Sequence, residues 1–347
     1  MEIDCATQDL PELRTADVCI VGSGPAGVCL ALGLVARGLR VTLLEGGSAT
    51  DADPRTRSLA EVDCGDSVVP IGPDNRRRQL GGNAGSWGVH LRHSNLGGRL
   101  APFKRTDFVE RPGLSRSAWP IGYDDLLPFY RRANVLLGAG PFSYDVGGWA
   151  NEAAPALPLV GGDVETTIFM FGNGRLFLDD YRQQLAASDQ VQVLLRTNVI
   201  KLSTTRTGEV ESALAVLPDG RTLEVRAHCF VLAAGGVESP QILFASTDHA
   251  PEGLGNRHDQ LGRGFMDHPI VVGGSILPHD RSIFDRMSLY DLRHIDGTPV
   301  MAGLTMSDAY ALCHGPNLST WLFPRPRWFP RTRTRWLFDQ VFRSGAG

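Results

Sequence analysis

The segment Asp17–Glu45 constrains the fold more than any other, because it predicts a strand, a glycine-rich turn, a helix and a second strand ending in an acid. Val18–Val21 is a short apolar run of the kind found in buried parallel strands. Ala26–Arg37 has helical periodicity and is closed by Gly38, after which Val41–Leu44 is apolar again. The sequence therefore predicts a βαβ unit.

The turn of this unit reads GSGPAG, and each glycine has its own predicted role. Gly22 allows the tight turn, Gly24 lets the backbone approach a pyrophosphate, and Gly27 lets helix and strand pack closely, so that the positive end of the helix faces the phosphates. Glu45 is placed to accept hydrogen bonds from a ribose. A glycine turn alone also occurs in purely structural βαβ units, but the complete pattern indicates binding of an adenine dinucleotide.

Length and charge bound the remaining possibilities. With 347 residues, 42% of them hydrophobic, the chain is longer than one average domain and can bury a sizeable core. A net charge of -4 argues against nucleic acid or an anionic membrane as partner and favours small neutral substrates. No export signal or membrane-length apolar run is recognisable, so we expect a cytoplasmic protein.

The six cysteines are scattered, without a CxxC pair or metal-ligand spacing. We therefore expect reduced thiols and no metal site, with Cys19, Cys29 and Cys229 in the core.

A second glycine-rich stretch spans Arg76–Arg92 and reads RRRQLGGNAGSWGVHLR. Its glycines bracket Trp87, which suggests backbone held close to a flat ligand, although a flexible surface turn is the alternative. The stretch that precedes it, 49–74, is polar and predicts a loop.

The segment that follows from Trp119, WPIGYDDLLPFYRRANVLLGAG, predicts a helix capped by Asp124 or Asp125. Pro128 fits the first turn of that helix. Its predicted buried face consists of Leu126, Leu127, Tyr130, Ala133, Leu136 and Leu137.

These motifs, in this order, resemble FAD-dependent glucose-methanol-choline (GMC) oxidoreductases, especially the pyranose oxidase-like branch. Two further segments carry the resemblance: Phe230–Ser246 reads FVLAAGGVESPQILFAS, a buried strand, a double-glycine turn and a helix, and Gly253–Pro269 reads GLGNRHDQLGRGFMDHP. The likeness extends from about Thr15 to about Pro326. It implies an α/β fold, with a Rossmann-like FAD-binding domain over 1–268, interrupted near 50–160, and the start of a substrate domain built on an antiparallel sheet over 269–347.

The periodicity of the intervening chain fits that architecture. Strands are predicted at 191–195, 199–202, 210–217 and 222–225, and antiparallel strands at 271–277, 281–292, 300–307 and 317–323. The resemblance implies that the backbone near Val199 contacts the adenine, for which an ordinary core valine is the alternative. The FAD-binding residues that it implies are Gly22, Gly24, Pro25, Ala26, Gly27, Glu45, Gly46, Gly81, Gly82, Asn83, Ser86, Trp87, Gly88, Val199, Ala234 and Gly235.

The activity implied by the resemblance is oxidation of a C–OH group of a sugar, glycoside or polyol to a carbonyl, with hydride passing to flavin N5 and a histidine as base. No histidine here matches the catalytic position of the family, and we expect structural roles for His90, His93 and His268. Ser86 stands where pyranose oxidase has the histidine that links covalently to the flavin, so we expect FAD bound without a covalent link. Asn83 replaces the usual Ser or Thr.

Family members also have a C-terminal segment with the active-site histidine, and nothing here matches it. The last residues, from Pro324, carry six arginines against one aspartate, which we interpret as a solvated segment rather than a nucleic-acid site. The chain is thus a fragment, a natural truncation or one of two polypeptides. Two functional hypotheses remain: an oxidoreductase acting on a small alcohol or sugar with an electron acceptor, or a non-catalytic flavoprotein or subunit that needs a partner chain. An NAD-dependent dehydrogenase is disfavoured because the second glycine loop has no role there.

Overall fold

The structure is a computed structural model that describes residues 1–8, 10–50, 54–61, 72, 76–87, 89–91, 94–114, 117–266 and 273–322. The chain divides into two compact units, and both are discontinuous in sequence. The first unit comprises Met1–Ser86 and Arg175–Val272, and the second comprises Trp87–Gly174 and Gly273–Gly347.

The described residues contain strands and helices in both units. The strands are β1 (Glu2–Asp4), β2 (Leu13–Val21), β3 (Val41–Leu44), β4 (Val89–Leu91), β5 (Ser94–Leu96), β6 (Arg99–Leu100), β7 (Val164–Phe171), β8 (Val191–Leu195), β9 (Asn198–Thr204), β10 (Val210–Val216), β11 (Thr222–Leu232), β12 (Arg293–Ile295), β13 (Thr298–Met306) and β14 (Ser319–Thr320). The α-helices are α1 (Pro25–Val35), α2 (Pro54–Ser58), α3 (Tyr123–Leu136), α4 (Asp180–Ala187), α5 (Gly235–Ala245) and α6 (Asp308–His314).

The first unit is built on a seven-stranded sheet with the order β1-β8-β3-β2-β11-β10-β9. The neighbours from β1 to β11 pair in parallel, whereas β11, β10 and β9 form an antiparallel meander. All four residues of β3 are buried, because a central parallel strand is covered on both faces. The α/β fold with a Rossmann-like unit is confirmed.

Strand β11 differs from the prediction. Instead of a short strand at 222–225 and a separate one from Phe230, one strand runs from Thr222 to Leu232. It pairs with β10 through its first half and with β2 along nearly its whole length. The second half was predicted to be buried, but Phe230 is only half-buried and Cys229 is exposed. The expectation that Cys229 lies in the core was therefore wrong, while Cys19 is fully buried on β2.

The second unit contains an antiparallel sheet, as expected, with the order β12-β13-β7-β6 and β14 paired to β13. Two of its strands, β6 and β7, come from residues before 269 and were not predicted. Two of the four segments predicted as strands contain no strand in their described residues. Residues 281–292 form 3-10 helices over Arg281–Arg286 and Ser288–Tyr290, the first of which begins where Asp280 Oδ1 accepts a hydrogen bond from Ser282 N at 2.8 Å. Residues 273–277 have no regular structure, and 271–272 lie outside the described residues.

Helix α3 exists as predicted, but its cap and its buried face differ. The N-cap is Gly122, and Asp125 accepts a hydrogen bond from the Gly122 N–H at 2.8 Å instead of capping the helix itself. Leu136 is exposed, and Asn134 is the buried residue of the helix. The cost of burying the Asn134 amide is offset because its Oδ1 accepts a hydrogen bond from the Tyr144 hydroxyl at 2.8 Å.

Most of the predicted loop at 49–74 lies outside the described residues, as does the arginine-rich end of the chain. Within the described part, no helix has the length and apolar character needed to cross a membrane.

Candidate functional site

The candidate site lies at the carboxyl ends of the parallel strands of the first unit, where α/β proteins bind their ligands. Gly22 N donates to Leu44 O at 2.8 Å, and Ala233 N donates to Val21 O at 2.7 Å. These bonds tie together the three backbone segments that leave β2, β3 and β11. The glycine turn therefore sits between the end of β3 and the start of α5.

The three glycines of the turn are needed for different geometric reasons. Gly22 has a φ of +102°, and a Cβ there would lie 2.5 Å from the Ala233 carbonyl oxygen. A Cβ at Gly27 would lie 2.0 Å from the carbonyl oxygen of Gly22, so helix α1 packs against the turn itself as well as against the strand. A Cβ at Gly24, in contrast, would meet no protein atom within 4 Å. The backbone at Gly24 is thus the part of the turn that a ligand can approach.

Helix α1 begins at this open position without a side-chain cap. Its N-cap is Gly24, which has no side chain to accept a hydrogen bond, and its first turn contains no acidic residue. The first residue, Pro25, has no N–H, but Ala26 and Gly27 do. A helix N-terminus with free amides and a positive dipole end favours an anion.

The second glycine-rich loop packs directly on the first. Gly81 N donates to the Ser23 carbonyl at 3.0 Å, and a Cβ at Gly82 would lie 3.1 Å from the Cα of Gly24. Leu80 N donates to the Ser48 carbonyl at 2.9 Å, which joins the loop to the chain after β3. Two glycine backbones therefore meet at the open position.

Glu45 is held as a buried carboxylate at the end of β3. Its Oε2 accepts hydrogen bonds from Ser23 N at 3.1 Å and from Ser23 Oγ at 2.5 Å, while Oε1 accepts one from Gly47 N at 2.7 Å. Burial raises the pKa of Glu45, and these bonds and the charge of Arg78 act in the opposite direction. Because a carboxylate offers about four acceptor positions, Glu45 retains capacity for a further donor.

Arg78 lies close enough to Glu45 to act on its charge, and Arg78 and Arg76 both approach the carboxylate of Glu238; the sequence did not single out either arginine. Arg76 pairs with Glu238 on α5, and Arg78 donates to Asn198 Oδ1 at 2.8 Å. A Cβ at Gly46 would lie 2.8 Å from Arg78 Nη1, so the absence of a side chain makes room for the guanidinium. The Nε atoms of both arginines are buried without a hydrogen-bond partner. Such orphaned donors favour an anionic ligand nearby.

The remaining predicted residues of the first unit lie around this centre. Ala234 is the N-cap of α5, and Gly235 follows it with a φ of +89°. Asn83 accepts a hydrogen bond from Arg77 N at 2.6 Å, and Ser86 Oγ donates to the Asn83 carbonyl at 2.8 Å. Val199 lies on β9 and packs against the core of the first unit. Their predicted contacts with a cofactor stay predictions.

Other predicted residues fall elsewhere. Trp87 belongs to the second unit, where its ring packs across Gly98. Gly88, His93 and His268 lie outside the described residues, and so does the side chain of His90.

The residues that sequence reasoning missed are Ser23, Arg76, Arg78, Asn198 and Glu238. The signal for the arginines was present in the run RRRQLGG, directly before the second glycine loop. Nothing local indicated their partners, because Asn198 and Glu238 reach the site from distant strands and helices.

Comparison with known proteins gives a domain match for a short part of the chain and several relatives that align with most of it. A sequence profile described as an FAD binding domain matches residues 15–62. The fructose dehydrogenase large subunit of Gluconobacter japonicus is 25% identical over 326 residues, covering 74% of this chain and 59% of that protein. The 6'''-hydroxyparomomycin C oxidase of Streptomyces lividus is 26% identical over 307 residues, covering 72% and 54%. An uncharacterized GMC-type oxidoreductase of Mycobacterium tuberculosis is 26% identical over 358 residues, covering 92% and 53%. The chain thus spans little more than half the length of these relatives.

Proposed function

Because this chain is a homologue of the GMC-type oxidoreductases and carries an FAD-binding domain, we propose that it is the FAD-binding portion of an enzyme that oxidises a C–OH group of a sugar, glycoside or polyol. The observation that carries the proposal is the meeting of two glycine backbones at an uncapped helix N-terminus, next to a buried carboxylate. This combination suits a pyrophosphate and a ribose together. The sugar or alcohol class rests on the relatives, of which one is a fructose dehydrogenase large subunit and another a 6'''-hydroxyparomomycin C oxidase.

The chain's own residues have separate tasks in this proposal. The amides of the first turn of α1 donate to the pyrophosphate, and the open backbone at Gly24 allows the close approach. Glu45 accepts a hydrogen bond from a ribose hydroxyl through its remaining acceptor position. Arg76 and Arg78 add positive charge beside the phosphates and fix the second glycine loop against α5.

FAD supplies the redox chemistry when bound, by accepting at flavin N5 the hydride that leaves the alcohol carbon. We propose that FAD is bound without a covalent bond, because Ser86 offers a hydroxyl and no imidazole. We assign no catalytic base to this chain. The alternative function is a non-catalytic flavoprotein or subunit, in which a partner chain supplies the catalytic histidine.

The first experiment is a visible absorption spectrum of the purified chain, followed by acid precipitation and measurement of flavin in the supernatant. Release of FAD into the supernatant is the expected result. Flavin that stays with the pellet would refute the non-covalent link, and a colourless chain that cannot be reconstituted with FAD would refute the proposal.

A matched pair of variants tests the site. Glu45→Gln removes the charge from the buried carboxylate, and a hydrogen bond to a charged group contributes about 1.5–3 kcal/mol. We therefore expect FAD affinity to fall by roughly 10- to 100-fold. Glu209→Gln is the control, because Glu209 is exposed in the turn between β9 and β10. Equal FAD affinity in the two variants would show that Glu45 does not hold the cofactor.

A turnover assay tests the alternative function. The FAD-loaded chain is mixed with sugars and polyols and an artificial electron acceptor. Turnover by this chain alone would refute the alternative, whereas a loaded but inactive chain is expected under both hypotheses, because no catalytic base is assigned to it. The coding sequence downstream of Gly347 then separates them: a continuation with a histidine motif supports the enzyme, and a stop supports the alternative.

A further inference from the structure

Arg99 of the second unit is held between two aromatic rings. Its guanidinium carbon lies 4.4 Å from the centre of the Phe169 ring and 4.2 Å from the centre of the Trp321 ring. Both distances are within the range of cation–π contact. Both rings are therefore close enough to attract the guanidinium charge and to restrict the position of the group.

The strand pairing brings Arg99 and Phe169 close together. Arg99 pairs with Phe171, the last residue of β7, and Phe169, two residues earlier on that strand, pairs with Met301 on β13. A Cβ at Gly303 would lie 2.5 Å from Phe169 Cε2 and 2.6 Å from a backbone oxygen of β14. The glycine thus leaves room for the Phe169 ring to lie across the sheet.

The charge of Arg99 has no partner in the part of the chain that the structure describes. Arg99 makes no ion pair and no side-chain hydrogen bond there, although it is half-buried. Burial is the cause that lowers the pKa of Arg99 to about 10, so the guanidinium keeps its charge at neutral pH. The next arginines along the chain, in contrast, each have an ion-pair partner: Arg105 pairs with Asp124, and Arg111 pairs with Asp107.

We propose that the edge of Arg99 binds the oxyanion of a small acidic ligand, a carboxylate or a phosphate. A guanidinium donates hydrogen bonds from its edge, and two parallel N–H groups on that edge match the two oxygens of a carboxylate or phosphate. The flanking rings hold the fork in one orientation, so little side-chain entropy is lost when the anion binds. A lysine would supply the charge without this geometry.

The test is isothermal titration of the whole chain with three probes that share a sugar skeleton: D-gluconate, D-glucose 6-phosphate and neutral D-glucose. The choice of sugar probes rests on the proposed function. We expect one of the acidic probes to bind at least tenfold more tightly than glucose, which is about 1.4 kcal/mol. Which one it is distinguishes a carboxylate from a phosphate, and inorganic phosphate added alone shows whether the anion suffices.

Arg99→Met should abolish the preference for the acidic probe, and Arg99→Lys should weaken it several-fold because the bidentate fork is lost. Arg105→Met is the control, since that exposed arginine also contacts an aromatic ring, Tyr123, but already has Asp124 as partner. Equal binding of acidic and neutral probes by the wild-type chain, or a preference that survives in Arg99→Met, would overturn the proposal. Circular dichroism checks that each variant folds. If Arg99→Met does not fold, an Arg99→Lys variant that binds the acidic probe as tightly as the wild-type chain overturns the proposal.

The assay needs no turnover and is run with and without FAD. A chain that fails to bind FAD but keeps the preference for the acid contradicts the proposed function and leaves this site intact. A chain that binds FAD but shows no preference for the acidic probe overturns the Arg99 site and leaves the proposed function intact.

Discussion

Helix α1 offers a paired test of the claim that the helix packs against the glycine turn. Gly27 and Gly33 lie in the same helix, and the same substitution to alanine meets different surroundings. At Gly27 the new Cβ would lie 2.0 Å from the Gly22 carbonyl oxygen, whereas at Gly33 the nearest atom is Arg37 Nη1 at 3.8 Å. The first contact is backbone against backbone, so no change of rotamer relieves it.

The magnitude follows from two terms. Replacing glycine by alanine in a helix stabilises it by about 0.8–1 kcal/mol, and both variants have this gain. At Gly27 the overlap is roughly 1.4 Å deep relative to ordinary contact, and overpacking of this kind costs about 1–3 kcal/mol or more. Because the propensity gain cancels, the difference between the two variants measures the overlap alone. We expect Gly33→Ala to be more stable than Gly27→Ala by about 1–3 kcal/mol.

Urea unfolding followed by far-ultraviolet circular dichroism gives this difference, and equilibrium ultrafiltration with FAD gives the cofactor affinity. Gly27→Ala should also lose FAD affinity, since the N-terminus of α1 must move away from the turn that it forms with Gly24. Gly33→Ala should bind FAD as the wild-type chain does. If both variants gain stability equally, the close approach of helix and turn does not exist.

Three further predictions follow. Hydrogen bonds from Arg40 lower the pKa of Asp17 from 3.8 to about 2, so the pair stabilises the fold fully above pH 3.8 and less as the pH falls towards 2. The difference in unfolding free energy between wild type and Asp17→Asn should therefore shrink between pH 3.8 and pH 2. A difference that stays constant over this range would contradict the prediction. Asn134→Leu should destabilise the second unit by about 1–3 kcal/mol because it leaves the half-buried Tyr144 hydroxyl without its partner, and Tyr144→Phe in the same chain should recover part of that loss in a double-mutant cycle. Cys229 should react with iodoacetamide in the native chain, as peptide mapping will show, because it is exposed on β11; protection of this thiol would indicate that the strand is covered.

The parts of the fold that the sequence predicted best are those whose burial is continuous. Val41–Leu44 and Val191–Leu195 were predicted with the bounds that the structure has, because parallel strands covered on both faces are mostly apolar, with Thr42 and Gln192 as the polar exceptions here. Strand β11 was divided in two because its middle, around His228, is exposed and polar. The segment Arg281–Arg286 was misread because its alternation is too short to separate a strand from a 3-10 turn, although Asp280 was a usable cap signal.

The candidate site likewise contains residues that the sequence could place and residues that it could not. The roles of Gly22 and Gly24 follow from a local motif, so the sequence was sufficient to place them. The partners of Arg76 and Arg78 were not predictable, since each pair joins residues far apart in the chain whose approach depends on the completed sheet.

The pairing of β2 with β11 has a consequence for the order in which the protein is made. Val21 pairs with Leu232, and Glu2 on β1 pairs with Val193, while all of residues 87–174 belong to the other unit. During translation the glycine turn emerges early and then waits, without its neighbouring strand, until β11 has left the ribosome. Contacts between such distant segments form slowly, and the apolar strands β2 and β3 remain exposed to chaperones and to aggregation in the meantime.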